Sequence, residues 1–317
     1  MSAGERPSAE EIILYAKDPT TKIATITFNR PEFLNAPTTA ARLRYAELLH
    51  GANVDDDVRV VVIRGVGDDF GSGADLPEVM ESADSPAFRL AELKIADEDV
   101  RYPPKGSFRH GATIGSWYAN SQAGNRSLQE FKKISIVEAK GYCYGWHFYQ
   151  AADADLVIAS EDTLFGHPSF RYYGWGPRMW TWVQTMGLRK FQEMVFTGRP
   201  FTAEEMFQCN FLNKVVPRER LEAEVDKYAN SCARNRPTDT IFMQKAFFEM
   251  VKQHQGEYMG SMLTALFESM GSAVRPDGDD MMLGDAIDSG LADSVRDNDA
   301  KFPPDFRLSK SGRAKKD

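Results

Sequence analysis

Two glycine-containing segments carry the most distinctive chemical pattern in this sequence. They are residues 70–76, FGSGADL, and residues 137–147, VEAKGYCYGWH. Each follows a β-branched run and leads into a helix-like stretch. A glycine turn at a helix start leaves backbone N–H groups pointing outward at the positive end of the helix dipole. Two such N–H groups converging from separate loops would form an oxyanion hole, which stabilises negative charge on a carbonyl oxygen.

Several side chains in and after the second segment can move protons. His147 and His167 titrate near neutrality and are natural general bases. Tyr149 can donate a proton or hold a water, but its ordinary pKa of about 10 would need strong tuning for a base. Asp153 lies four residues after Tyr149, on the same helix face, where it could orient another side chain. Each also has a structural alternative: Tyr149 and His147 as packed, hydrogen-bonded side chains, and Asp153 as part of the scaffold.

The composition limits the remaining classes of function. The 317 residues are 42% hydrophobic, enough for one large core or a core with a small second domain. No run reaches the roughly 18–20 apolar residues of a membrane span. A net charge of −8 argues against nucleic acid as the main partner. The histidines lack ligand spacing and phosphate-binding glycine loops are absent, so neither a metal site nor a nucleotide site of those types is expected.

The three cysteines and the N-terminal residues give evidence on the cellular location of the protein. Cys143, Cys209 and Cys232 are widely spaced and show no disulfide pattern. The first residues are polar and contain no apolar signal-peptide core. Both features favour a reducing environment, and the predicted location is the cytoplasm.

Hydrophobic periodicity locates the elements that would position the chemical groups. Alternation with a period of two predicts a strand at 23–28, and the mostly apolar run 58–65 predicts a strand buried on both faces. Another buried strand is expected at 134–141. Residues 38–52 form a predicted amphipathic helix capped by Thr38 or Thr39. The long insertion at 77–131 is interpreted either as part of a lid over a pocket or as a packed surface insertion.

The last third of the chain is expected to be helical and then polar. Helices are predicted at 221–235, 241–252 and 257–270. Residues 273–317 are rich in Gly, Asp, Ser and Lys, which predicts a solvated, flexible extension, with wrapping of a partner subunit as the alternative. Residues 1–9 are expected to be a flexible lead.

Together, the two glycine segments resemble those of the crotonase (enoyl-CoA hydratase/isomerase) superfamily. Further matches follow in the family's order: ITFNRPEFLNA at 26–36, VVVIRG at 60–65, ADADLVIA at 152–159 and FTGRPFTAEE at 196–205. The resemblance covers about residues 10–270. It implies an α/β fold with a repeated ββα spiral core over 10–217. It also implies a C-terminal helical trimerisation region over 218–272, and assembly as a homotrimer or hexamer.

The resemblance also implies roles for individual residues. The oxyanion donors would be the N–H groups of Ala74 and Trp146, although Trp146 and His147 replace two glycines that the family usually has. The implied contacts to coenzyme A and its pantetheine arm are Phe33, Leu34, Ala36, Asp75, Leu76 and Pro77. A hydratase of this family uses two glutamates around one water, and the aligned positions hold Tyr149 and Ser169. The catalytic candidates are therefore Tyr149, His167, Ser169, His147 and Asp153.

By this resemblance the chain is an acyl-CoA-processing enzyme that stabilises a thioester enolate. Coenzyme A would be part of the substrate, and no cofactor would be bound permanently. Because both glutamates are missing, an alternative is retro-Claisen C–C hydrolysis or decarboxylation of a bulky or cyclic β-keto-acyl-CoA. Such a reaction needs an enolate but no glutamate pair. The residues also leave open a non-catalytic acyl-CoA-binding protein and a hydrolase of free diketones. No membrane partner is expected.

Overall fold

The computed structural model describes residues 6–78, 101, 107–109, 128–172, 175–176, 178–234, 237–269 and 291–314. Most of the 77–131 insertion therefore lies outside the described residues, including the aromatic and amide residues between 102 and 125. The predicted lid stays a prediction for the same reason. Within the described ranges no helix is long and apolar enough to cross a membrane.

The N-terminal half builds most of a mixed sheet. Its elements are α1 (Ala9–Ile12), β1 (Ile13–Asp18), β2 (Ile23–Phe28), α2 (Thr39–Val54), β3 (Val60–Gly65), β4 (Ile134–Ala139) and β5 (Tyr142–Tyr144). Thr38 caps α2, as predicted, because its side chain accepts a hydrogen bond from the N–H of Ala41. Strand β2 alternates between buried and half-buried residues, so the predicted period of two is confirmed.

The second half adds strands β6 (Leu156–Ser160), β7 (Leu164–Gly166), β8 (Phe201–Thr202) and β9 (Lys214–Val216). The helices between and after them are α3 (Trp146–Asp153), α4 (Ser169–Tyr172), α5 (Met179–Met186), α6 (Leu188–Thr197) and α7 (Ala203–Gln208). Next come α8 (Leu221–Arg234), α9 (Thr238–His254), α10 (Glu257–Ser269), α11 (Leu291–Ala300) and α12 (Lys310–Ala314). The three predicted C-terminal helices thus correspond to α8, α9 and α10.

Two sheets form the framework. The larger has the strand order β1-β2-β3-β4-β6-β9, parallel except for the antiparallel β1–β2 pair, and the smaller has the order β5-β7-β8. Strand β3 is buried on both faces, as predicted: Val61 and Ile63 belong to the main core, while Val60 and Val62 pack with α8. Because β2, β3 and β4 are parallel, the loops that follow them leave the same edge of the sheet, where ligands bind in open α/β sheets.

The C-terminal segment departs from the predicted solvated extension. Its described part, residues 291–314, contains two helices and packs onto the core. Asp299 forms an ion pair of 2.7 Å with Arg171, and Lys310 forms one of 2.6 Å with Asp69. The polar composition misled the prediction because the carboxylates and lysines of this segment are used in specific contacts with the core.

Candidate active site

The loop after β3 presents one backbone N–H group for a ligand. The other N–H groups from 70 to 75 donate to Lys140 O, Tyr142 O, Leu34 O, His147 Nδ1 and Pro37 O, respectively. The N–H of Ala74 has no acceptor within the described part of the chain. Ala74 is half-buried, so its N–H can meet a substrate oxygen. This pattern of hydrogen bonds supports the expected first oxyanion donor.

The second predicted donor lies beside the first. Trp146 is the first residue of α3, and the first N–H groups of a helix have no intrahelical acceptor. Gly73 and Gly145 have positive φ angles of 111° and 55°, conformations that glycine adopts without a Cβ penalty. A Cβ built on Gly73 would lie 3.5 Å from Gly145 Cα and 3.6 Å from the nitrogen of Trp146. The two loops therefore touch, and the glycines permit this approach.

His147 points away from the solvent and into the junction of the two loops. It is fully buried, and its Nδ1 accepts the N–H of Gly73 at 3.2 Å. Burial lowers the pKa of His147 to about 3, so the imidazole is neutral. A buried ring with an occupied Nδ1 is unsuited to proton transfer with a substrate, and the geometry favours the structural alternative for His147.

Tyr149 and Ser169 are joined by one imidazole. The hydroxyl of Tyr149 lies 2.6 Å from Nε2 of His167. On the other side of the ring, the hydroxyl of Ser169 contacts Nδ1, and the backbone N–H of Ser169 approaches the same atom at 3.2 Å. The Ser169 hydroxyl also lies 3.2 Å from the carbonyl oxygen of Trp175. The two positions that the resemblance aligns with the family's glutamates are thus linked through His167, which the sequence did not reveal.

The contacts show which atoms carry the protons in the hydrogen-bonded row Tyr149–His167–Ser169. A backbone N–H can only donate, so the N–H of Ser169 makes Nδ1 of His167 an acceptor. Burial lowers the pKa of His167 to about 3, and the neutral ring then carries its proton on Nε2, which donates to Tyr149. Tyr149, Phe170 and Trp182 surround the ring with centroid distances of 5.4, 5.1 and 5.5 Å. These aromatic neighbours are the cause of the desolvation.

Asp153 belongs to a buried ion pair. One carboxylate oxygen accepts from Nη2 of Arg178 at 2.6 Å, and both side chains are almost inaccessible. Arg178 also donates to Thr181 at 2.9 Å and to Ser261 at 3.2 Å. The network ties α3 to α5 and α10, so these contacts of Asp153 support the helix that carries Tyr149. Arg178 was missed in the sequence because it is far from Asp153 in the chain and belongs to no motif.

The loop at 33–37, which is the predicted coenzyme A contact, lies against the loop at 70–75, which carries the first predicted oxyanion donor and is called the first oxyanion loop. The N–H of Ser72 donates to Leu34 O at 3.0 Å, and that of Asp75 donates to Pro37 O at 3.2 Å. The outward-facing residues of these loops are apolar: Phe33, Leu34 and Leu76 are each exposed by 41–51%, and Pro77 is exposed as well. Ala36 is buried, so its side chain belongs to the support of the loop.

Asp75 also supports the loop from inside. It is buried and accepts from Nη1 of Arg30 at 2.7 Å. Burial alone would raise the pKa of Asp75. The hydrogen bonds from Arg30 and from the backbone N–H of Glu78, together with the charges of Arg30 and Arg6, outweigh burial and hold the pKa below its usual range. The carboxylate of Asp75 is thus engaged by Arg30 in the support of the loop. Arg30 was overlooked as its partner, although it occurs in the NRP motif that marked the family.

No other acidic pair replaces the missing glutamates in the described ranges. Glu138 forms an ion pair with Arg64 at 3.1 Å, and Glu161 is exposed at a turn after β6. No group of His, Cys, Asp or Glu residues suited to a metal ion occurs in the part of the chain that the structure describes. The candidate site therefore consists of the backbone N–H groups of Ala74 and Trp146 and the hydrogen-bonded side chains of Tyr149, His167 and Ser169.

Comparisons with known proteins agree with this architecture. The family model for enoyl-CoA hydratase/isomerase matches residues 18–96 and 109–275. The putative enoyl-CoA hydratase EchA13 of Mycobacterium tuberculosis is 28% identical over 250 residues, covering 72% of this chain and 71% of that protein. Mevalonyl-coenzyme A hydratase sidH of Aspergillus fumigatus is 28% identical over 224 residues, covering 69% of this chain and 72% of the relative.

Solved structures share the fold. An enoyl-CoA hydratase from Mycobacterium smegmatis superimposes with a TM-score of 0.75 at 24% identity, covering 92% of this chain and 94% of that one. A probable enoyl-CoA hydratase from Mycobacterium thermoresistibile gives a TM-score of 0.67 at 27% identity, covering 88% and 98%. The crotonase-like α/β fold expected from the glycine segments is confirmed. The chain belongs to the enoyl-CoA hydratase/isomerase family of the crotonase superfamily.

Proposed function

We propose that this protein is an acyl-CoA hydratase or isomerase that holds a thioester enolate between the N–H groups of Ala74 and Trp146. Tyr149, His167 and Ser169 would move protons in place of the two glutamates. Coenzyme A enters as part of the substrate, its pantetheine arm passing the apolar residues Leu34 and Leu76. The disulfide-free pattern of the cysteines supports a cytoplasmic location for the reaction.

One observation carries this proposal: His167 contacts both residues at the glutamate positions. A hydratase must take a proton from water on one side and give one to carbon on the other. A hydrogen-bonded chain with a hydroxyl group at each end can do both, because a proton accepted at Ser169 and one released from Tyr149 leave no net charge behind. The imidazole changes tautomer in this step, because Nε2 gives its proton to Tyr149 and Nδ1 receives one from Ser169. After product release, Ser169 returns a proton to solvent water and Tyr149 takes one from it, which restores the starting tautomer.

Burial favours such a relay over a charged intermediate. The pKa of His167, lowered to about 3, shows that an imidazolium would be costly in this site. The same dry environment strengthens the interaction of an enolate oxygen with the two N–H groups. Loss of one such donor typically lowers kcat by about 10²–10³-fold.

A retro-Claisen C–C hydrolase is the second candidate. Tyrosine and serine at the two glutamate positions favour it, since cleavage of a β-keto thioester needs an enolate and a water but no glutamate pair. The aromatic residues around His167 suit a bulky or cyclic acyl group. The names of the two mevalonyl-coenzyme A hydratases among the relatives point instead to hydration.

A turnover screen separates these reactions. The protein is incubated with enoyl-CoA, β-hydroxyacyl-CoA and cyclic β-ketoacyl-CoA thioesters, and products are identified by mass spectrometry. Water added to a double bond supports hydration, a shifted double bond supports isomerisation, and a ring-opened acid supports C–C cleavage. Binding of CoA esters without turnover of any would replace the enzyme proposal with an acyl-CoA-binding function. No affinity for CoA esters at all would favour a hydrolase of free diketones.

Substitutions then test the relay. We expect Tyr149→Phe, His167→Gln and Ser169→Ala each to lower kcat by about 10²–10⁴-fold, the usual contribution of a positioned acid or base. The matched control is Tyr228→Phe, which removes a phenol hydroxyl from the half-buried Tyr228 on α8, outside this site. Unchanged kcat in Tyr149→Phe and Ser169→Ala would contradict the relay.

A further inference from the structure

We propose that His147 is a positioning residue of the oxyanion hole: its imidazole holds the first loop so that the N–H of Ala74 faces the substrate. This inference rests on the proposed function. It concerns a side chain at a position where the family usually has glycine, so the arrangement is a feature of this chain. One hydrogen bond, one steric fit and the order of the residues support it.

The hydrogen bond joins the two loops. Nδ1 of His147 accepts the N–H of Gly73 at 3.2 Å. The ring cannot swing away, because it is fully buried and packs edge-to-face against Phe28 and Phe70, with centroid distances of 4.7 and 5.1 Å and interplanar angles of 77° for both. A fixed acceptor in a dry environment holds its donor more firmly than a solvated one does.

The steric fit makes Gly71 and His147 interdependent. A Cβ built on Gly71 would lie 2.1 Å from both Cε1 and Nε2 of His147, a distance that real contacts do not allow. Gly71 cannot yield, because its N–H and carbonyl oxygen bond to Tyr142 and Tyr144 on β5. The missing side chain of Gly71 is therefore the space that the imidazole fills.

The order of residues places donor and support together. Trp146 supplies one oxyanion N–H, and the next residue, His147, holds the loop that supplies the other. Gly73 has no side chain to fix its conformation, and its φ of 111° lies in a region that glycine enters and leaves easily. The hydrogen bond to His147 supplies that restraint. The spacing between Ala74 and Trp146 is thus set by a contact one residue away from each.

The state of the imidazole agrees with this role. Because Nδ1 accepts, the proton of the neutral ring is on Nε2, which has no hydrogen-bond acceptor among the described residues and lies beside the backbone of Gly71. An unpaired buried N–H costs about 1–3 kcal/mol. The presence of this polar ring inside an apolar cluster is explained if its Nδ1 is needed to hold the N–H of Gly73. Since burial lowers the pKa to about 3, the acceptor persists at physiological pH.

The first experiment uses the unmodified protein. Long-range ¹H–¹⁵N correlation spectra of ¹⁵N-histidine-labelled protein report which ring nitrogen carries the proton. We expect His147 to show a protonated Nε2 and an accepting Nδ1 from pH 5 to 9. A protonated Nδ1 would overturn the proposal, because that nitrogen could no longer accept from Gly73.

The second experiment measures the oxyanion hole directly with acetoacetyl-CoA. This β-keto thioester forms an enolate whose ultraviolet absorbance increases when oxyanion donors stabilise it. We expect His147→Gly to reduce this enolate signal. In turnover assays the same variant should lower kcat by roughly 10–100-fold, a smaller effect than the loss of a whole oxyanion donor. KM should change less than about threefold. His147→Asn keeps an acceptor near the position of Nδ1 and should retain most of the signal.

The steric fit provides a reciprocal control. Gly71→Ala should weaken the enolate signal by displacing the imidazole, and adding His147→Gly should recover part of the loss. Normal enolate formation in both His147 variants, or a Gly71→Ala defect that His147→Gly does not relieve, would overturn the positioning role. Failure of the wild type to bind any CoA ester would instead overturn the proposed function. If His147→Gly does not fold, the His147→Asn variant and the spectra of the unmodified protein still test the positioning role of His147.

Discussion

At the scale of single residues, burial decides which titratable groups take part in chemistry. His147, Asp153 and His167 are close in sequence to Tyr149, but the structure gives them different environments. His147 is held by Gly73, Asp153 by Arg178, and His167 by Tyr149 and Ser169. Only the last arrangement leads to a half-buried side chain, that of Ser169.

The Asp153–Arg178 pair predicts a loss of stability without a direct loss of chemistry. Asp153→Asn leaves a buried guanidinium without its countercharge, so we expect the free energy of unfolding to fall by about 3–5 kcal/mol. Urea denaturation measures this change. The control is Asp293→Asn, which breaks an exposed 2.8 Å pair with Arg296 and should cost under about 0.5 kcal/mol. A folded Asp153→Asn protein that is as inactive as Tyr149→Phe would show instead that Asp153 is catalytic.

The two buried histidines predict acid sensitivity. Their folded pKa values of about 3 lie below the ordinary 6.5, so between pH 6.5 and 3 the unfolded chain binds more protons than the folded one. Stability therefore falls as pH falls through this window and is unaffected by these groups above it. Each histidine should lower the free energy of unfolding by about 2 kcal/mol at pH 5 relative to pH 7.5.

Denaturant titrations at the two pH values test this sensitivity. The double variant His147→Asn, His167→Gln should lose less stability on acidification than the wild type does. His50→Asn, which changes an exposed histidine, should match the wild type. An equal acid dependence in the double variant and the wild type would show that these two histidines are not the cause.

At the scale of elements, the C-terminal segment braces both halves of the site. Lys310 bonds to Asp69, which directly precedes the first oxyanion loop, and Asp299 bonds to Arg171 on α4, the helix that begins at Ser169. Tyr144 donates to Leu308 O at 2.8 Å from the strand that leads into α3. The candidate site is built from loops at the edge of the sheet. Contacts from the C-terminal segment help to fix these loops, because loops lack the regular hydrogen bonds between neighbouring strands.

Asp299 is the residue on which this brace depends. Its carboxylate accepts from Arg171, from the backbone N–H groups of Leu308 and Ser309, and from the Ser309 hydroxyl. We expect Asp299→Ala to lower the midpoint of urea denaturation and to speed proteolytic cleavage after residue 290, because Arg171 loses its countercharge and two N–H groups lose their acceptor. Asp297→Ala, on the exposed face of the same helix, should have little effect. Equal protease resistance of the two variants would contradict the brace.

At the scale of the whole molecule, the described part of the chain exposes an apolar surface on two C-terminal helices. Helices α9 and α10 expose a set of large hydrophobic side chains: Phe242, Met243, Phe247, Phe248, Met250, Tyr258, Met259, Leu263 and Phe267. Large exposed apolar patches on folded proteins often mark protein–protein interfaces. We propose that this face is the interface of the homotrimer, or of the hexamer built from trimers, that the family resemblance implies.

Sedimentation equilibrium tests the assembly. We expect a mass three or six times that of one chain, and we expect Met243→Glu with Phe247→Glu to shift it toward the monomer, because two charges would be buried in an apolar interface. The control is Phe196→Glu, at an even more exposed position on α6, outside this face. A wild-type protein that is monomeric at micromolar concentration would refute the proposed trimer.

The sequence by itself determined the framework and predicted two backbone N–H groups as donors. The apolar run of β3, the alternation of β2 and the glycines at 71, 73 and 145 are local signals, because they reflect burial, strand geometry and backbone conformation at their own positions. They predicted the strands, the loops that follow them and the two N–H groups. The family motifs then ordered these pieces correctly into one fold.

Only the tertiary structure decided what the side chains do. The partners of His147, Asp153 and Asp299 are 74, 25 and 128 residues away in the chain, and no local pattern records such distances. The same holds for the polar C-terminal segment, whose composition predicted solvent but whose charges meet matching groups on the core. Side-chain chemistry depends on desolvation and on specific partners, and both are fixed only when distant parts of the chain pack together.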